Sequence, residues 1–288
     1  MRHSIIKLYS ILLLFIASFT TYAQNLPLTS TYNATSLGIG GVILSDEYLT
    51  PLRYGGTIYN LRTEQEKSLT CSFPSLLHLD ASISYASTLN PAYTAKMDFV
   101  RGELQAEGLY IWALPYGIKL AAGPGLRLTL GGRLHSRNGN NPGTLDAKSD
   151  LTIGAILAYR LPFEQWPIAI RLHTSYGVLG LSNHLEYGAS YYEQEFVRNG
   201  IIRAFHLTHP FNQNYLSTRF SLDIPLWEIC TLHLGYQWSF DRSSLKHRIR
   251  SMQGHIGFIG FSIERLSFWG RRAMHSDTHK TLLFDTFH

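Results

Sequence analysis

The chain of 288 residues has little charge, few cysteines and no long apolar run beyond its N-terminus. Charged residues make up 16% of it, against roughly a quarter in ordinary soluble domains. The two cysteines, Cys71 and Cys230, are too few for a disulfide framework. After the first 23 residues no stretch approaches the roughly 20 consecutive apolar residues that a membrane helix needs. These absences argue against a helical membrane protein and against a small disulfide-stabilised domain.

The N-terminus has the pattern of a secretory signal. Arg2 and Lys7 precede an apolar core at 11–19, and Ala23 ends a cleavage-like site before Gln24. We therefore expect residues 1–23 to be a cleaved signal peptide. Cleavage would remove two of the 25 basic residues and leave 23 against 20 acidic ones. So small an excess does not favour nucleic acid as a partner.

Residues 215–241 alternate between apolar and polar side chains on both sides of a turn. Each arm is long enough to cross a bilayer when tilted. An apolar and aromatic face beside a strongly polar face, repeated from hairpin to hairpin, is typical of a membrane β-barrel. The second arm is predicted to turn four side chains to lipid and His233 to the lumen; the four are Leu232, Leu234, Tyr236 and Trp238.

The connections between predicted strands are of two alternating kinds. Short ones with proline and an aromatic residue, such as 114–117, alternate with longer polar ones, such as 137–149 and 241–250. This is expected of a chain that goes up and down through a membrane. In hydrocarbon every backbone N–H and C=O must be paired within the protein, so such a sheet must close. The predicted fold class is all-β: a closed antiparallel transmembrane β-barrel of 10–12 strands.

The expected organisation is a single barrel without a second domain. Residues 24–51 are predicted to be a periplasmic leader, 52–264 the barrel in the outer membrane, and 265–288 a C-terminal tail. The count is ten strands, with 53–63 and 67–73 taken as separate strands. It becomes twelve if 184–209 adds a protruding hairpin.

Charged side chains occupy the face opposite the predicted lipid-facing leucines. On the arm 118–136, Leu126, Leu128 and Leu130 alternate with polar residues. If the turn before this arm centres near Tyr116, Gln105 faces Arg127. The full predicted lumen set is Glu103, Gln105, Glu107, Arg127, Arg133, Arg171, Arg219 and His233. These groups either cross-link the wall of a narrow barrel or line a small solute channel with a cationic bias. The remaining strand histidines, His78, His173 and His255, are expected to form hydrogen bonds in the lumen wall.

Evidence for catalysis is weak. Ser182 and His184 have the two-residue spacing that places both side chains on one strand face, and acyl transfer needs a nucleophile beside a base. No surrounding pattern supports the pair, so an outer-membrane lipid acyl hydrolase is kept only as an alternative. No ligand spacing or motif indicates a metal or a cofactor, and we expect neither. The expected partners are outer-membrane lipid and an extracellular or periplasmic ligand of unknown kind.

Two short strings resemble an uncharacterised family of Gram-negative outer-membrane β-barrel proteins. The first string lies within 46–56 and reads Asp46-x-Tyr48-Leu49-Thr50-Pro51-Leu52-x-Tyr54-x-Gly56. The second is Arg137-Asn138-Gly139-Asn140-Asn141-Pro142. The resemblance implies a barrel, and it carries no activity and no functional residues.

Overall fold

The structure is a computed structural model that describes residues 30–70, 74–139, 142–162, 168–185, 204–227 and 230–266. Within these ranges the chain is almost entirely β-strand, apart from a 3₁₀ turn at Pro115–Gly117. None of the described residues belongs to a helix that is long and apolar enough to cross a membrane. The predicted signal peptide and most of the predicted tail lie outside the described residues.

The eleven described strands have the following bounds. In chain order they are β1 Ser30–Asp46, β2 Thr50–Thr70, β3 Pro74–Leu89, β4 Lys96–Ala113, β5 Ile118–His135, β6 Gly143–Arg160, β7 Ala169–Asn183, β8 Phe205–Thr208, β9 Gln213–Trp227, β10 Cys230–Leu245 and β11 Arg248–Leu266.

Antiparallel pairing of consecutive strands closes the sheet into a ten-membered ring. The order around it is β6-β5-β4-β3-β2-β1-β11-β10-β9-β7, and β6 pairs with β7 to complete it. The short strand β8 adds no eleventh position, because it pairs with 180–183 of β7 while β9 pairs with 169–176 of the same strand edge. Closure leaves no unpaired edge, as a sheet in lipid requires. The predicted closed antiparallel barrel is confirmed, with ten strands in the ring.

The prediction of a periplasmic leader at 24–51 is wrong for most of these residues, because Ser30–Asp46 is the first strand of the barrel. It pairs with β11 on one side and with β2 on the other, so it closes the ring between the ends of the chain. Up to Leu44 its inner face carries small and apolar residues, and the first inward charge is Asp46 at its end, so the sequence shows little alternation. At Gly40 a side chain could not be accommodated, since a Cβ would lie 1.7 Å from the backbone oxygen of His255.

Two further expectations about strand limits are also wrong. Residues 53–63 and 67–73 are not separate strands, because β2 runs without interruption from Thr50 to Thr70. The polar residues 63–66 looked like a turn, but Glu64 and Glu66 are buried on the inner face. The predicted long loop 241–250 is instead a tight hairpin around Lys246 and His247, whose φ angles are +53° and +60°. The predicted count of ten strands omits β1 and divides β2 into two strands, and these two errors cancel.

The ring has two different ends. The terminal rim holds the start of β1, the end of β11, the connection 114–117 and the adjoining ends of β6 and β7. The loop rim holds the hairpin at 246–247, the connections 47–49, 90–95 and 209–212, and the described residues 136–139 and 184–185 that follow β5 and β7.

Strand β4 shows how the interior changes between the two rims. Its inward side chains are apolar near the loop rim (Met97, Phe99), charged or polar in the middle (Arg101 to Glu107), and apolar again near the terminal rim (Leu109, Ile111). Buried apolar side chains of neighbouring strands join each end to form two separate clusters. The charged part of the lumen therefore lies between two apolar clusters.

Candidate functional site in the barrel interior

The structure places all eight predicted lumen residues on the inner face of the ring. The side chains of Glu107, Arg127, Arg133 and His233 are almost completely buried, and Arg171 and Arg219 nearly so. Glu103 and Gln105 are half-buried and contact other inward groups. Gln105 is opposite Arg127 in the β4–β5 register, as the turn geometry predicted.

The seven predicted lipid-facing residues alternate with these on the outer face. Leu126, Leu128 and Leu130 are exposed, the last by 65%. Leu232, Leu234 and Trp238 are half-exposed, and Tyr236 is exposed. The prediction that His255 faces the lumen is wrong, because this residue lies on the outer face beside the Tyr236 hydroxyl.

Three ion pairs join strands that are diametrically opposed in the ring. Arg101 of β4 donates to Asp241 of β10 at 2.6 Å, and Arg219 of β9 donates to Asp80 of β3 at 2.9 Å. The third pair joins Glu66 of β2 to Arg171 of β7. In each case the two strands are five positions apart in either direction around the ring. Side chains therefore cross the lumen at its full width.

The charged residues form two layers. The loop-side layer is centred on Arg127, which contacts Asp150 at 2.6 Å and Glu103 at 3.0 Å, and whose guanidinium carbon lies 3.4 Å from the ring centre of Tyr215. It has five carboxylates and five cations. The carboxylates are Asp46, Glu103, Asp146, Asp150 and Asp241, and the cations are Arg101, Arg127, Arg133, Lys148 and Arg250.

The terminal-side layer is not balanced in the same way. Its five carboxylates are Glu64, Glu66, Asp80, Glu107 and Asp223, whereas in the described part of the chain three guanidinium groups contact them: Arg62, Arg171 and Arg219. Three imidazoles, His78, His173 and His233, lie among them. With neutral imidazoles the layer has an excess of two negative charges. Burying such an excess is costly unless a cation or a proton offsets it.

The Glu107 carboxylate reaches partners beyond the neighbouring strand. The β4–β5 register puts Glu107 diagonally to Arg127, but its carboxylate contacts His173 of β7 at 2.8 Å and Gln105 at 2.5 Å. Two glycines opposite it provide the space. A Cβ on Gly154 of β6 would lie 2.2 Å from Glu107 Oε1, and a Cβ on Gly125 of β5 would lie 2.7 Å from Glu107 Cγ.

The geometry does not support Ser182 and His184 as a catalytic pair. The Ser182 hydroxyl makes no hydrogen bond to any described residue, so it is not bonded to His184. Burial, together with the cations Arg250 and Lys148, lowers the pKa of His184 to about 3. An imidazole with so low a pKa is a poor proton acceptor at neutral pH.

The two strings that suggested the family resemblance meet at the loop rim. The side-chain amide of Asn138 donates to the backbone oxygen of Leu49 at 3.1 Å. Below them the Tyr54 hydroxyl lies 2.7 Å from His135 Nε2. Arg133 donates to the backbone oxygen of Ser45 at 2.7 Å and so links the same two segments. These contacts hold the connection 47–49 and residues 136–138 together.

A protein family described as "Protein of unknown function (DUF3316)" matches residues 6–272. The chain belongs to this family. The resemblance to an uncharacterised family is thereby confirmed. No curated protein matches the sequence.

Several solved barrels are similar in fold. The outer membrane protease OmpT from Escherichia coli is 8% identical, with 84% of this chain and 99% of that one covered and a TM-score of 0.48. The transport unit of the autotransporter AIDA-I from Escherichia coli is 7% identical, with 85% and 92% covered and a TM-score of 0.45. The translocator domain of the autotransporter NalP from Neisseria meningitidis is 8% identical, with 90% and 97% covered and a TM-score of 0.41. No functional residue is carried over from them.

Proposed function

We propose that this protein is an outer-membrane β-barrel with a side-chain-filled lumen, and that it acts through a ligand bound at the loop rim. The observation that carries the filled lumen is the set of three ion pairs across the full width of the ring. Ten strands enclose a narrow interior, since barrels of about eight strands are just filled and those of 16 or more leave an aqueous channel.

The outer face supports a location in lipid. Large apolar side chains such as Leu37, Leu104 and Ile259 are more than half exposed on it. A soluble protein would not leave an apolar surface of this extent in water. We place the loop rim outside the cell and the terminal rim in the periplasm, because outer-membrane barrels have short periplasmic turns and longer outer loops.

The loop rim also offers contact residues. Tyr93 in the β3–β4 connection is 79% exposed, and Phe211 in the β8–β9 connection is 96% exposed. Aromatic side chains contribute a large share of the binding energy at protein interfaces. An extracellular ligand of the loop rim is therefore the partner that we favour over a transported solute.

The orientation can be tested by surface labelling of whole cells. Lys246→Cys lies on the loop rim and Tyr116→Cys on the terminal rim, where Tyr116 is 90% exposed. A membrane-impermeant maleimide should label the first variant above the level of the parent chain and leave the second at that level. The opposite result would reverse the orientation, and labelling of neither variant in cells but of both after lysis would contradict a surface-exposed barrel.

The filled lumen can be tested by liposome swelling. Proteoliposomes that contain the folded chain should swell in small sugars no faster than empty liposomes. Folding is verified independently by heat-modifiable gel mobility. Rapid swelling that slows in Arg127→Ala or Arg171→Ala would instead support the solute channel.

A further inference from the structure

Three side chains of the terminal-side layer, His78, Glu107 and His173, come together from three strands. Each offers a ligand atom, and these atoms all lie within 4.8 Å of one another. His173 Nε2 is 2.8 Å from Glu107 Oε2, and the ring centres of His78 and His173 are 4.8 Å apart. We propose that these three residues bind one divalent transition-metal ion, with Zn²⁺ as the best match.

The chemistry of the three groups fits such an ion. Two imidazoles and one carboxylate form a recurrent zinc ligand set, with metal–ligand distances of about 2.0–2.2 Å. Calcium and magnesium prefer oxygen ligands, so two imidazoles disfavour them. Two ligand atoms of a tetrahedral zinc ion lie about 3.3–3.6 Å apart. Metal binding would therefore separate His173 Nε2 and Glu107 Oε2 slightly from their present 2.8 Å.

His78 is the observation that points to a ligand independently of the cluster. Its side chain is 1% exposed, and neither of its ring nitrogens makes a hydrogen bond to any described residue. Glu66 Oε1 lies 3.5 Å from His78 Nδ1, at the distance of an ion pair. A buried imidazole normally has at least one nitrogen hydrogen-bonded. A metal ion would provide a partner for Nε2, the ring nitrogen that does not face Glu66.

The excess charge of the layer points in the same direction. Five carboxylates meet three guanidinium groups, and a divalent cation would cancel the remaining two negative charges. The two glycines opposite Glu107 add a steric argument, because Gly154 and Gly125 leave room for its carboxylate beside His173. A methyl group at 154 would occupy the position of that carboxylate.

Arg219 determines the tautomer of His173 and thereby modulates the site. Its Nη2 lies 3.1 Å from His173 Nδ1, and a guanidinium can only donate, so Nδ1 accepts and Nε2 carries the proton. A metal at Nε2 requires that proton to move to Nδ1, which would then face a cation. If metal binding at Nε2 breaks the contact between Arg219 and His173, Arg219 still has Asp80 and Glu64 as partners. In Arg219→Gln the amide oxygen could accept from Nδ1–H, so we expect tighter metal binding.

The test uses the full mature chain without a histidine tag, folded in detergent with Zn²⁺ or Co²⁺ and then dialysed. Metal content gives the stoichiometry, and the Co²⁺ visible absorption band reports nitrogen and oxygen ligands. About one equivalent is expected in the parent chain. His78→Ala, His173→Ala and Glu107→Gln should weaken binding by at least about tenfold. Arg219→Gln should strengthen it.

Two matched controls separate ligand loss from misfolding. Gly154→Ala removes no ligand but fills the space that the Glu107 carboxylate occupies, so it should lower the metal content. Gly108→Ala places its methyl group in open space and should leave the metal content unchanged. His255→Ala, on the outer face, should also leave metal content unchanged. Heat-modifiable mobility confirms that each variant forms a barrel.

A folded parent chain that holds no metal, or one whose metal persists in His78→Ala and Gly154→Ala alike, would overturn the proposal. Loss of metal in His255→Ala alone would assign it to the outer face and would overturn the proposal as well. Since a metal ion can lie in either a filled or a conducting barrel, this result and that of the swelling assay are independent.

Discussion

Arg101 of β4 donates a hydrogen bond of 2.6 Å to Asp241 of β10, although these strands lie on opposite sides of the ring. Lys148 of β6 contacts the other oxygen of the same carboxylate at 2.8 Å. All three side chains are buried. The shape of the barrel interior is thus fixed by bonds between distant strands as well as by the ladders between neighbours.

The first prediction concerns this carboxylate. Asp241→Asn leaves the cations of Arg101 and Lys148 buried without their principal anion, so the free energy of unfolding should fall by about 3–5 kcal/mol. The matched control is Asp98→Asn, which removes the exposed pair with Lys96 and should cost about 0–1 kcal/mol. Urea titration of the chain in phospholipid vesicles measures both. Equal losses of unfolding free energy in the two variants would show that Asp241 stabilises the barrel no more than an exposed carboxylate does.

The second prediction tests the lipid-facing surface. Leu104→Arg, near the middle of β4 and 56% exposed, should lower the free energy of unfolding by about 2–4 kcal/mol in vesicles. Leu114→Arg, just beyond the end of the same strand, should cost only about 0–1 kcal/mol, because the penalty falls toward the interface. If both substitutions were neutral, β4 would not face hydrocarbon.

The third prediction concerns the β10–β11 hairpin. Lys246 and His247 both have positive φ, the geometry of a two-residue type I′ turn that favours Asn-Gly. His247→Gly removes a steric penalty and should stabilise the barrel by about 1 kcal/mol. Ser244→Gly, inside β10, should instead destabilise it by about 0.5–1 kcal/mol. The same urea titration decides, and a loss of stability in His247→Gly would show that the turn has a different geometry in the folded protein.

The fourth prediction concerns the alternative enzymatic activity. Because the Ser182 hydroxyl is not bonded to His184, the purified barrel should release no fatty acid from phospholipid or lipid A, with or without calcium. Ser182→Ala should therefore behave as the parent chain does. Fatty-acid release that disappears in Ser182→Ala would establish the hydrolase.

Alternation of side chains made the fold predictable, because one period-two pattern gives both the strand and its faces. It failed where the pattern was weak. Up to Leu44 the inner face of β1 is small and apolar, so its sequence resembles a leader more than a strand. Glu64 and Glu66 face inward, but their outward neighbours Thr63 and Gln65 are also polar, so the sequence predicts a turn there. The first error arises from a lumen that is not uniformly polar, and the second from an outer face that is not uniformly apolar.

The partners of the lumen charges were far less predictable. The β4–β5 register follows from one turn and correctly places Gln105 opposite Arg127. Arg101 and Asp241 are separated by 140 residues, and their contact depends on the number of strands in the ring. The same holds for the cluster of His78, Glu107 and His173. Each residue was recognisable as inward-facing, but no local spacing indicates that they meet.

The most direct test of the filled lumen is single-channel recording in a planar bilayer. The folded parent chain should give no steady openings above the bare membrane, because three ion pairs cross the full width of the ring. Removing the pair in Arg101→Ser/Asp241→Ser should make openings more frequent. Large, steady, anion-selective openings of the parent chain, reduced in Arg127→Ala or Arg171→Ala, would contradict a filled lumen and identify the protein as a pore.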